Sequence, residues 1–295
     1  MYSTTACPVC GNFQANLVLT TTDYTVSNER FSILQCQHCS LRFTENIPSP
    51  NQIGKYYQSE QYISHTNSNQ GLFNKLYQLV RNFSLVSKRK LVEKFVTKTP
   101  GTLLDYGCGT GSFLNEMKSK GWEVKGIEPD NGAAQKAKGL TGVEISHPST
   151  LHSLTISSID VITMWHVLEH VHDLQGTLQT LKHILKHDGV MFVAVPNYQS
   201  FDAQYYKSYW AAYDVPRHLY HFSARSMEQL MDVHGLKIVK QFPMWFDSFY
   251  VSLLSEKYKK NPLGLLFAFC VGLISNVAAF FNGKSSSIIY VIKYS

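Results

Sequence analysis

Beyond residue 101, short runs of hydrophobic residues alternate with segments whose apolar positions recur at helical spacing. The hydrophobic runs are nearly continuous, which is typical of strands buried on both faces of a parallel sheet. They are Thr102–Asp105, Glu123–Ile127, Ile159–Met164 and Val190–Val195. The helical segments between them are Ser112–Lys120, Asn131–Lys138 and Asp173–Lys186. This alternation predicts an α/β fold with a parallel sheet that binds ligands at the carboxyl ends of its strands.

Two further regions precede the alternating segments. The first contains four cysteines, and its β-branched and apolar stretches Leu17–Thr22 and Arg30–Gln35 predict a small hairpin. The second contains a predicted helix at Gly71–Val96, which ends in a basic cluster that includes Lys88 and is expected to face water. We therefore divide the chain into a cysteine unit, a helical linker or cap, and an α/β domain, at residues 1–45, 46–100 and 101–295.

The composition of the 295 residues is that of a globular protein. Hydrophobic residues make up 44%, aromatic residues 13% and charged residues 16%, which excludes a disordered or collagen-like chain. The net charge of +6 is mild, and no run of Lys and Arg resembles a nucleic-acid-binding arm. The first residues show no cationic stretch followed by an apolar one, so we expect a cytoplasmic protein without a signal peptide.

Four of the six cysteines form two Cys-x-x-Cys pairs that are separated by 25 residues. Two thiolates on a tight turn can face one ion, and two such turns complete a tetrahedral shell. In a reducing compartment this spacing favours metal ligands over disulfides. The sequence predicts a structural zinc site, with rubredoxin-like iron and unligated thiols as alternatives. Its ligands are Cys7, Cys10, Cys36 and Cys39.

A glycine-rich turn, Gly107-Cys108-Gly109-Thr110-Gly111, connects the first predicted strand of the α/β domain to a helix. Glycines at these positions let the backbone curl beneath a ligand that a Cβ atom would push away. A dinucleotide fingerprint would need a third glycine where Ser112 stands, and the Gly-Lys-Ser/Thr of a phosphate loop is absent. The turn therefore predicts a site for a nucleoside without a pyrophosphate.

Two acids accompany this turn. Glu128 ends the second strand, 23 residues after Asp105, at the place where an acid accepts hydrogen bonds from a ribose diol. Asp105 lies beside the glycines, where we expect it to face a positively charged group of the ligand. Either acid alone is typical of a surface or capping residue, but their order and spacing together favour a binding site.

From Thr102 to Pro196 the chain resembles the class I S-adenosylmethionine-dependent methyltransferases. The segment from Asp105 to Gly111 is similar to their first motif, and Glu128 to their ribose-binding acid. Val167-Leu168-Glu169-His170-Val171 resembles the segment after the fourth strand in many small-molecule members, including quinone-pathway O-methyltransferases. The resemblance implies a Rossmann-like seven-stranded sheet with an antiparallel last strand, here Ser286–Lys293.

The combination of a four-cysteine unit with this domain is similar in architecture to some deoxysugar C-methyltransferases. The turn after the fourth strand is expected to line the cofactor pocket, with Trp165 or His166 near the adenine or the methyl group. His166 and His170 also match the His-x-x-Glu-His pattern of inverted zinc proteases, which the preceding strand and the lack of a third ligand disfavour. The residues expected to bind S-adenosylmethionine are Asp105, Gly107, Cys108, Gly109, Gly111, Glu128, Pro129, Trp165 and His166.

An aromatic-rich insertion at residues 197–222 follows the fifth strand and is expected to form a lid over the substrate. Arg217 is predicted to bind a carboxylate or phosphate of the acceptor, and Tyr213 is predicted to contact it. His218, His221 or His166 is the predicted proton acceptor, because imidazole titrates near neutral pH. Simple packing of a cap is the alternative for each of these residues.

A second insertion at 247–283 contains an apolar segment at 263–281, with no charged residue from Asn261 through Gly283. The segment is long enough to span a membrane, yet the strand after it must return to the same sheet. The sequence therefore leaves three alternatives, namely contact with a membrane surface, packing on the lid, and pairing with a second subunit. Flanking lysines suit the first, which would place the protein at the inner face of the membrane.

The sequence favours an S-adenosylmethionine-dependent methyltransferase that acts on a small molecule or a sugar- or lipid-linked acceptor, at oxygen or carbon. A second hypothesis is an RNA methyltransferase that grips nucleic acid with its zinc unit. The weak charge and the presence of only Arg30 and Arg42 near the cysteines argue against nucleic acid. A third is a binding module that retains the cofactor without turnover.

Overall fold

The computed structural model describes residues 6–57, 72–97 and 99–295, with side chains described from residue 80 onward in the first helix. Its strands, in chain order, are β1 (Ala15–Thr22), β2 (Arg30–Cys36), β3 (Arg42–Thr44), β4 (Thr102–Tyr106), β5 (Glu123–Ile127), β6 (Ile145–Ser146), β7 (Ile159–Trp165), β8 (Leu185–Pro196), β9 (Tyr220–His221), β10 (Leu236–Pro243) and β11 (Ser287–Tyr294). Its α-helices are α1 (Leu72–Phe95), α2 (Ser112–Lys118), α3 (Asn131–Thr141), α4 (Leu174–Ile184), α5 (Phe201–Tyr206), α6 (Ala224–Val233), α7 (Asp247–Tyr258) and α8 (Gly264–Asn282).

Seven of the strands form one sheet, in the order β10-β11-β8-β7-β4-β5-β6. The strands from β8 to β6 are parallel, and their apolar residues are buried on both faces, as the continuous hydrophobic runs predict. The last strand, β11, is antiparallel to both β8 and β10. The predicted Rossmann-like sheet with an antiparallel last strand is therefore confirmed.

The boundaries of most elements lie within a few residues of those predicted. Strand β8 is the main exception, because it begins at Leu185, five residues before the predicted Val190. Leu185 pairs with Ile159 of β7, and the regular pairing resumes at Val190 after an irregularity at the polar residues between them. The predicted first residue of helix α1, Gly71, lies outside the described residues.

A second sheet of four strands, in the order β1-β2-β3-β9, connects the cysteine unit to the aromatic insertion. Strands β1 and β2 form the predicted antiparallel hairpin. Strand β9 belongs to the insertion and pairs with β3, with Arg42 opposite His221 and Phe43 opposite Tyr220. The N-terminal unit is thus joined to the insertion by one sheet, and its buried residues pack into the same core as those of the α/β domain.

Arg217 fixes this arrangement from within. Its side chain is 1% exposed and donates hydrogen bonds to the carboxylates of Asp23 and Asp214, to the Thr25 hydroxyl and to the Tyr56 carbonyl. The guanidinium also helps to lower the pKa of Asp23 to about 2, against the effect of burial, which raises it. Because its donors are used within the protein, Arg217 holds the insertion against the N-terminal unit.

This environment corrects the two substrate contacts that the sequence predicted. Arg217 is bound on all sides by groups of the protein, so its charge is compensated before any acceptor arrives. Tyr213 is 2% exposed, and its hydroxyl accepts a hydrogen bond from Arg42 at 2.8 Å. Both residues are structural, because tertiary pairing with a distant part of the chain occupies their polar groups.

Replacement of Arg217 by alanine should destabilise the protein by about 3–5 kcal/mol, because the buried Asp23 and its neighbour Asp214 would lose their cation. Chemical denaturation followed by circular dichroism measures this change. The control is Arg225→Ala, which removes an exposed arginine that donates one hydrogen bond to the His38 carbonyl and should cost less than about 1 kcal/mol. Equal effects of the two substitutions would contradict the conclusion that Arg217 holds the insertion against the N-terminal unit.

Candidate functional site

The glycine turn lies between the carboxyl end of β4 and helix α2. Gly107 has a φ of 78°, and a Cβ atom there would lie 2.4 Å from a methyl group of Val167. Gly109 has a φ of 54° and has no atom within 4 Å of the position that its Cβ would take. The turn therefore packs tightly against the loop after β7 on one side and leaves an open space above Gly109, where a ligand fits.

Glu128 follows β5 and points back at the same turn. Its carboxylate accepts hydrogen bonds from the backbone N–H of Gly109 at 2.8 Å and of Asp130 at 3.0 Å. Burial raises its pKa, and the two backbone N–H groups oppose that rise. These bonds orient the acid and leave it further acceptor capacity. The geometry fits an acid that holds a diol above the glycine turn.

Asp105 is the second-last residue of β4 and is 2% exposed. The Thr163 hydroxyl donates a hydrogen bond of 2.6 Å to its carboxylate. Burial raises the pKa of Asp105 to about 7, although this hydrogen bond and the charge of Lys88 lower it. A cationic ligand group would stabilise the charged form of a buried acid whose pKa is near neutral pH.

Two other predicted cofactor residues differ in exposure. The Cys108 side chain is buried within the turn, and burial raises the pKa of its thiol, so the group stays protonated and serves as packing. Pro129 is exposed in the short loop between Glu128 and helix α3. Neither residue contributes a charged or strongly polar group to the site.

Trp165 ends β7 and meets the edge of the Phe113 ring at 5.3 Å. Its indole N–H is buried and has no hydrogen-bond partner among the described residues. The Lys88 ammonium lies 4.4 Å from the centre of the indole ring, and burial lowers its pKa. Lys88 thus packs on Trp165 and is only partly exposed, which corrects the expectation that this lysine faces water. The sequence pattern does not indicate this contact, because tertiary packing decides which face of helix α1 lies against the sheet.

His166 is held between two carboxylates. Its Nε2 lies 3.0 Å from Asp247 Oδ2, and its Nδ1 lies 3.4 Å from Glu169 Oε1. Burial lowers its pKa, but the bonds to these acids outweigh burial and raise the pKa to about 9. At neutral pH the imidazole is protonated and has no lone pair for a proton. This corrects the prediction that His166 acts as a base, and it adds Asp247, which no motif identified.

His218, which belongs to the insertion, lies near the Glu169 carboxylate. Its Nδ1 lies 2.8 Å from the Ala212 carbonyl, which can only accept, so Nδ1 carries the proton. Its Nε2 lies 4.0 Å from Glu169 Oε1 and from Asp214 Oδ2. The ligand-type atoms of Glu169, His170 and His218 all lie within 4.8 Å of one another. The tertiary structure therefore joins the loop after β7 to the insertion in one polar cluster.

His170 does not pair with His166 as a zinc protease motif would require. The residues Leu168–His170 form a short 3₁₀ turn and not an α-helix. The Nδ1–H of His170 donates to the Arg217 carbonyl at 3.0 Å, and burial with the nearby His218 lowers its pKa to about 4. His166 and His170 thus have different partners, which does not fit the zinc protease pattern.

His221 lies in strand β9, apart from this cluster. Its Nε2 is 3.2 Å from the Thr44 hydroxyl, and its ring packs against the face of Tyr213. Burial, with the charges of His218 and Arg42, lowers its pKa well below the usual value. A neutral histidine enclosed between two strands is a structural residue, which corrects its predicted catalytic role.

A cavity of about 330 Å³ opens between helix α1 and the loop that joins β10 to α7. Most of its lining is apolar. Lys88 and Asp247 lie in its wall, and the same two residues contact Trp165 and His166. Two residues of the cavity wall therefore contact the residues at the carboxyl end of β7. Its main apolar lining residues are Phe83, Leu91, Phe242, Trp245 and Phe246.

The four N-terminal cysteines come together as predicted. The sulfur of Cys7 lies 3.5 Å from that of Cys39, and the sulfur of Cys10 lies 3.5 Å from that of Cys36. All four sulfurs lie within 4.8 Å of one another, and three of the residues are buried. A tetrahedral ion with bonds of about 2.3 Å requires sulfur separations of about 3.8 Å. The donor set therefore fits a four-coordinate metal ion.

The parallel sheet, the glycine turn and the acid after β5 define the class I methyltransferase fold. A family model described as a methyltransferase domain matches residues 80–241, just over half of the chain. The chain therefore belongs to the methyltransferase-domain family.

Relatives and solved structures agree with this assignment. The chain is 30% identical over 115 residues to a ubiquinone biosynthesis O-methyltransferase of Paraburkholderia phymatum, which covers 37% of this chain and 50% of the relative. The chain thus spans about half the length of the curated relatives it matches.

Two solved structures share the fold at low sequence identity. A SAM-dependent methyltransferase from Thermotoga maritima matches with a TM-score of 0.51 and 19% identity, over 75% of this chain and 94% of that one. The geranyl diphosphate C-methyltransferase of Streptomyces coelicolor matches with a TM-score of 0.52 and 14% identity, over 79% and 88% of the two chains.

Alanine substitutions at two glycines of the turn should affect mainly stability at Gly107 and mainly cofactor binding at Gly109. Gly107→Ala should lower the free energy of unfolding by about 3 kcal/mol, because of its φ and the clash with Val167. Gly109→Ala should cost about 1 kcal/mol but weaken binding of S-adenosylmethionine at least tenfold, because its Cβ would enter the open space. Chemical denaturation and isothermal calorimetry separate the two effects. Cofactor affinity of the Gly109 variant equal to wild type would show that the ligand does not lie on this turn.

Proposed function

We propose that the protein is an S-adenosylmethionine-dependent methyltransferase that methylates oxygen or carbon of a small or lipid-linked acceptor. The observation that carries the proposal is the hydrogen bond from the Gly109 N–H to the Glu128 carboxylate, at a glycine with open space in front of it, in the turn that directly follows the strand of Asp105. Membership in the methyltransferase-domain family and the structural neighbours support it. Its setting is cytoplasmic.

In this proposal Glu128 binds the ribose diol, Asp105 faces the cationic end of the cofactor, and the free indole N–H of Trp165 serves as a donor. S-adenosylmethionine supplies a methyl group that is already activated on a positively charged sulfur. The chain has to align the acceptor and exclude water, which the apolar cavity wall is suited to do. The ammonium of Lys88 repels a cationic acceptor and favours a neutral or anionic one.

The acceptor loses a proton if it reacts as a hydroxyl or a carbon acid. The group suited to accept that proton is His218 Nε2, because Nδ1 already donates to the Ala212 carbonyl. Glu169, which is fully buried, lies close enough to stabilise the imidazolium that forms. The protonated His166 keeps Glu169 and Asp247 charged and in place. His218 is thus the proposed base, and His166 is a positioning residue.

The cysteine cluster is proposed to hold a structural Zn²⁺ ion. Four thiolates close the coordination shell, which leaves no open position for a substrate. Strand β3, just after Cys39, pairs with β9, and the Thr44 hydroxyl donates to the His218 carbonyl at 2.8 Å. The metal would therefore stabilise the strand that holds His218, without taking part in the reaction.

The proposal is tested by incubating the purified protein with cell extract and methyl-labelled S-adenosylmethionine, then separating sugar, lipid, RNA and protein fractions. We expect label in the small-molecule or lipid fraction and none with Glu128→Ala, whose cofactor affinity should fall at least tenfold by calorimetry. Label in RNA that depends on low salt would support the nucleic-acid alternative. Cofactor binding without label in any fraction would indicate a non-catalytic module.

Replacement of His218 by glutamine should lower kcat by about 10²–10⁴ while the dissociation constant for S-adenosylmethionine stays unchanged, because His218 contacts no residue of the glycine turn. Single-turnover kinetics with the identified acceptor and calorimetry measure the two quantities. An unchanged kcat would remove His218 from the mechanism. Thermal denaturation controls for folding, since the ring is buried.

Cofactor affinity should fall as the pH is lowered from 8 to 6. The pKa of Asp105 is about 7 in the free protein because the carboxyl is buried, and protonation below that pH removes the charge that a cationic ligand needs. The association constant should decrease up to about tenfold for each pH unit below 7. In Asp105→Asn this slope should disappear and the affinity should be low throughout. A pH-independent affinity of the wild type would contradict the proposed contact.

A further inference from the structure

Helices α7 and α8 form a hairpin between the last two strands of the main sheet. Helix α8 is the one helix among the described residues that is long and apolar enough, by length and composition, to cross a membrane, and 28% of it is buried. Both β10 and β11, which flank the hairpin, pair with each other in the same sheet. A single crossing would place β11 on the far side of the bilayer, so the helix does not span it.

The face of α8 that packs on the protein is made of small residues. Gly272 allows the closest approach, because a Cβ there would lie 2.7 Å from the Phe249 ring of α7. Ser275 donates a hydrogen bond of 2.6 Å to the buried Asp202 of α5. The buried residues of the helix are Ala268, Val271, Gly272, Ser275 and Ala279.

The outward face carries the large apolar side chains, the reverse of a helix that packs into a soluble core. Phe280 and Phe281 are 77% and 82% exposed. At roughly 100 Å² exposed per side chain, this face totals on the order of 1,000 Å², above the few hundred Å² usual for a monomer. We call it the α8 face, and it consists of Leu263, Leu265, Leu266, Phe267, Phe269, Leu273, Ile274, Val277, Phe280 and Phe281.

Basic residues flank both ends of the α8 face. Lys257 and Lys260 are exposed before the helix, and Lys284 is exposed after it. The acid nearest in sequence, Glu256, is 1% exposed and accepts a hydrogen bond from Asn261. An apolar face between exposed lysines complements an anionic lipid surface, with the side chains in the acyl region and the ammonium groups among the headgroups.

The α8 face is also attached to the rim of the apolar cavity. The Asn276 side chain of α8 donates a hydrogen bond of 2.8 Å to the Trp245 carbonyl, and Ser248 donates one of 3.0 Å to the Asn276 amide oxygen. Trp245 and Phe246 line the cavity and are themselves 42% and 44% exposed. The mouth of the cavity therefore borders the same exposed apolar surface.

We propose that the α8 face docks the protein on the surface of an anionic membrane, with helix α8 lying in the plane of the interface. Docking places the cavity mouth at the lipid boundary, where an acceptor with an apolar chain can enter without crossing water. The docking itself is independent of the proposed methyl transfer, and only the entry of the acceptor rests on it. The alternative is that a second copy of the chain covers the α8 face.

The test is flotation of the purified full-length protein with vesicles, without detergent. The vesicles contain either neutral phosphatidylcholine alone or phosphatidylcholine mixed with anionic phosphatidylglycerol. We expect most of the protein to float with the anionic vesicles and at least several-fold less with the neutral ones. High salt should reduce binding in part, because the apolar contribution remains.

Two sets of substitutions separate the contributions. Phe269→Gln with Phe280→Gln and Phe281→Gln should reduce vesicle binding at least tenfold, because it removes exposed apolar groups at little cost to folding. Ile156→Gln, which replaces an isoleucine that is 72% exposed far from α8 in sequence, is the matched control and should bind as wild type. Lys257→Gln with Lys284→Gln should remove the preference for anionic vesicles.

Three results would overturn the proposal. The first is wild-type protein that stays unbound with both kinds of vesicle. The second is a dimer by light scattering that the triple glutamine variant converts to a monomer, which would assign the α8 face to a second copy. The third is protein that only detergent extracts from membranes. Calorimetry with S-adenosylmethionine should be equal in all variants, so a failure of cofactor binding would count against the proposed function and leave the docking result unaffected.

Discussion

A carboxylate buried without access to water needs a compensating cation, and Glu169 imposes this requirement at the centre of the protein. The protonated His166 supplies the charge from the cofactor side, and His218 approaches from the insertion. The main-chain carbonyl of Glu169 accepts a hydrogen bond from Leu219 at 2.8 Å, which fixes the insertion to the loop after β7. The loop after β7 and the insertion are thus held together through one buried residue.

The N-terminal unit also contacts the insertion, on residues next to those that contact the loop after β7. Arg217 connects it to the insertion through a buried ion pair with Asp23, and Thr44 bonds the carbonyl of His218. The cysteine cluster closes the same unit. The four-cysteine unit is therefore joined to the insertion by an ion pair, a strand pairing and a side-chain hydrogen bond.

Much of the fold and of the cofactor side could be predicted from local patterns. Continuous apolar runs indicated the parallel strands. The positive φ of Gly107 and Gly109 could be expected because glycine adopts this conformation more readily than other residues. The acceptor side could not be predicted in this way. Arg217 looked free for a substrate because a sequence does not show that Asp23, far away in the chain, already neutralises it. No sequence motif identified Asp247, because its contact is with His166, which lies far away in the chain.

The sequence by itself determined the alternating fold, the glycine turn with its two acids, the clustering of four thiols and the apolar segment before the last strand, because each depends on neighbours within about 25 residues. Only the tertiary structure decided which histidine keeps a free nitrogen, that Lys88 packs on Trp165 and that α8 turns its large side chains outward. The physical reason is that charge compensation and burial depend on residues brought together from distant parts of the chain.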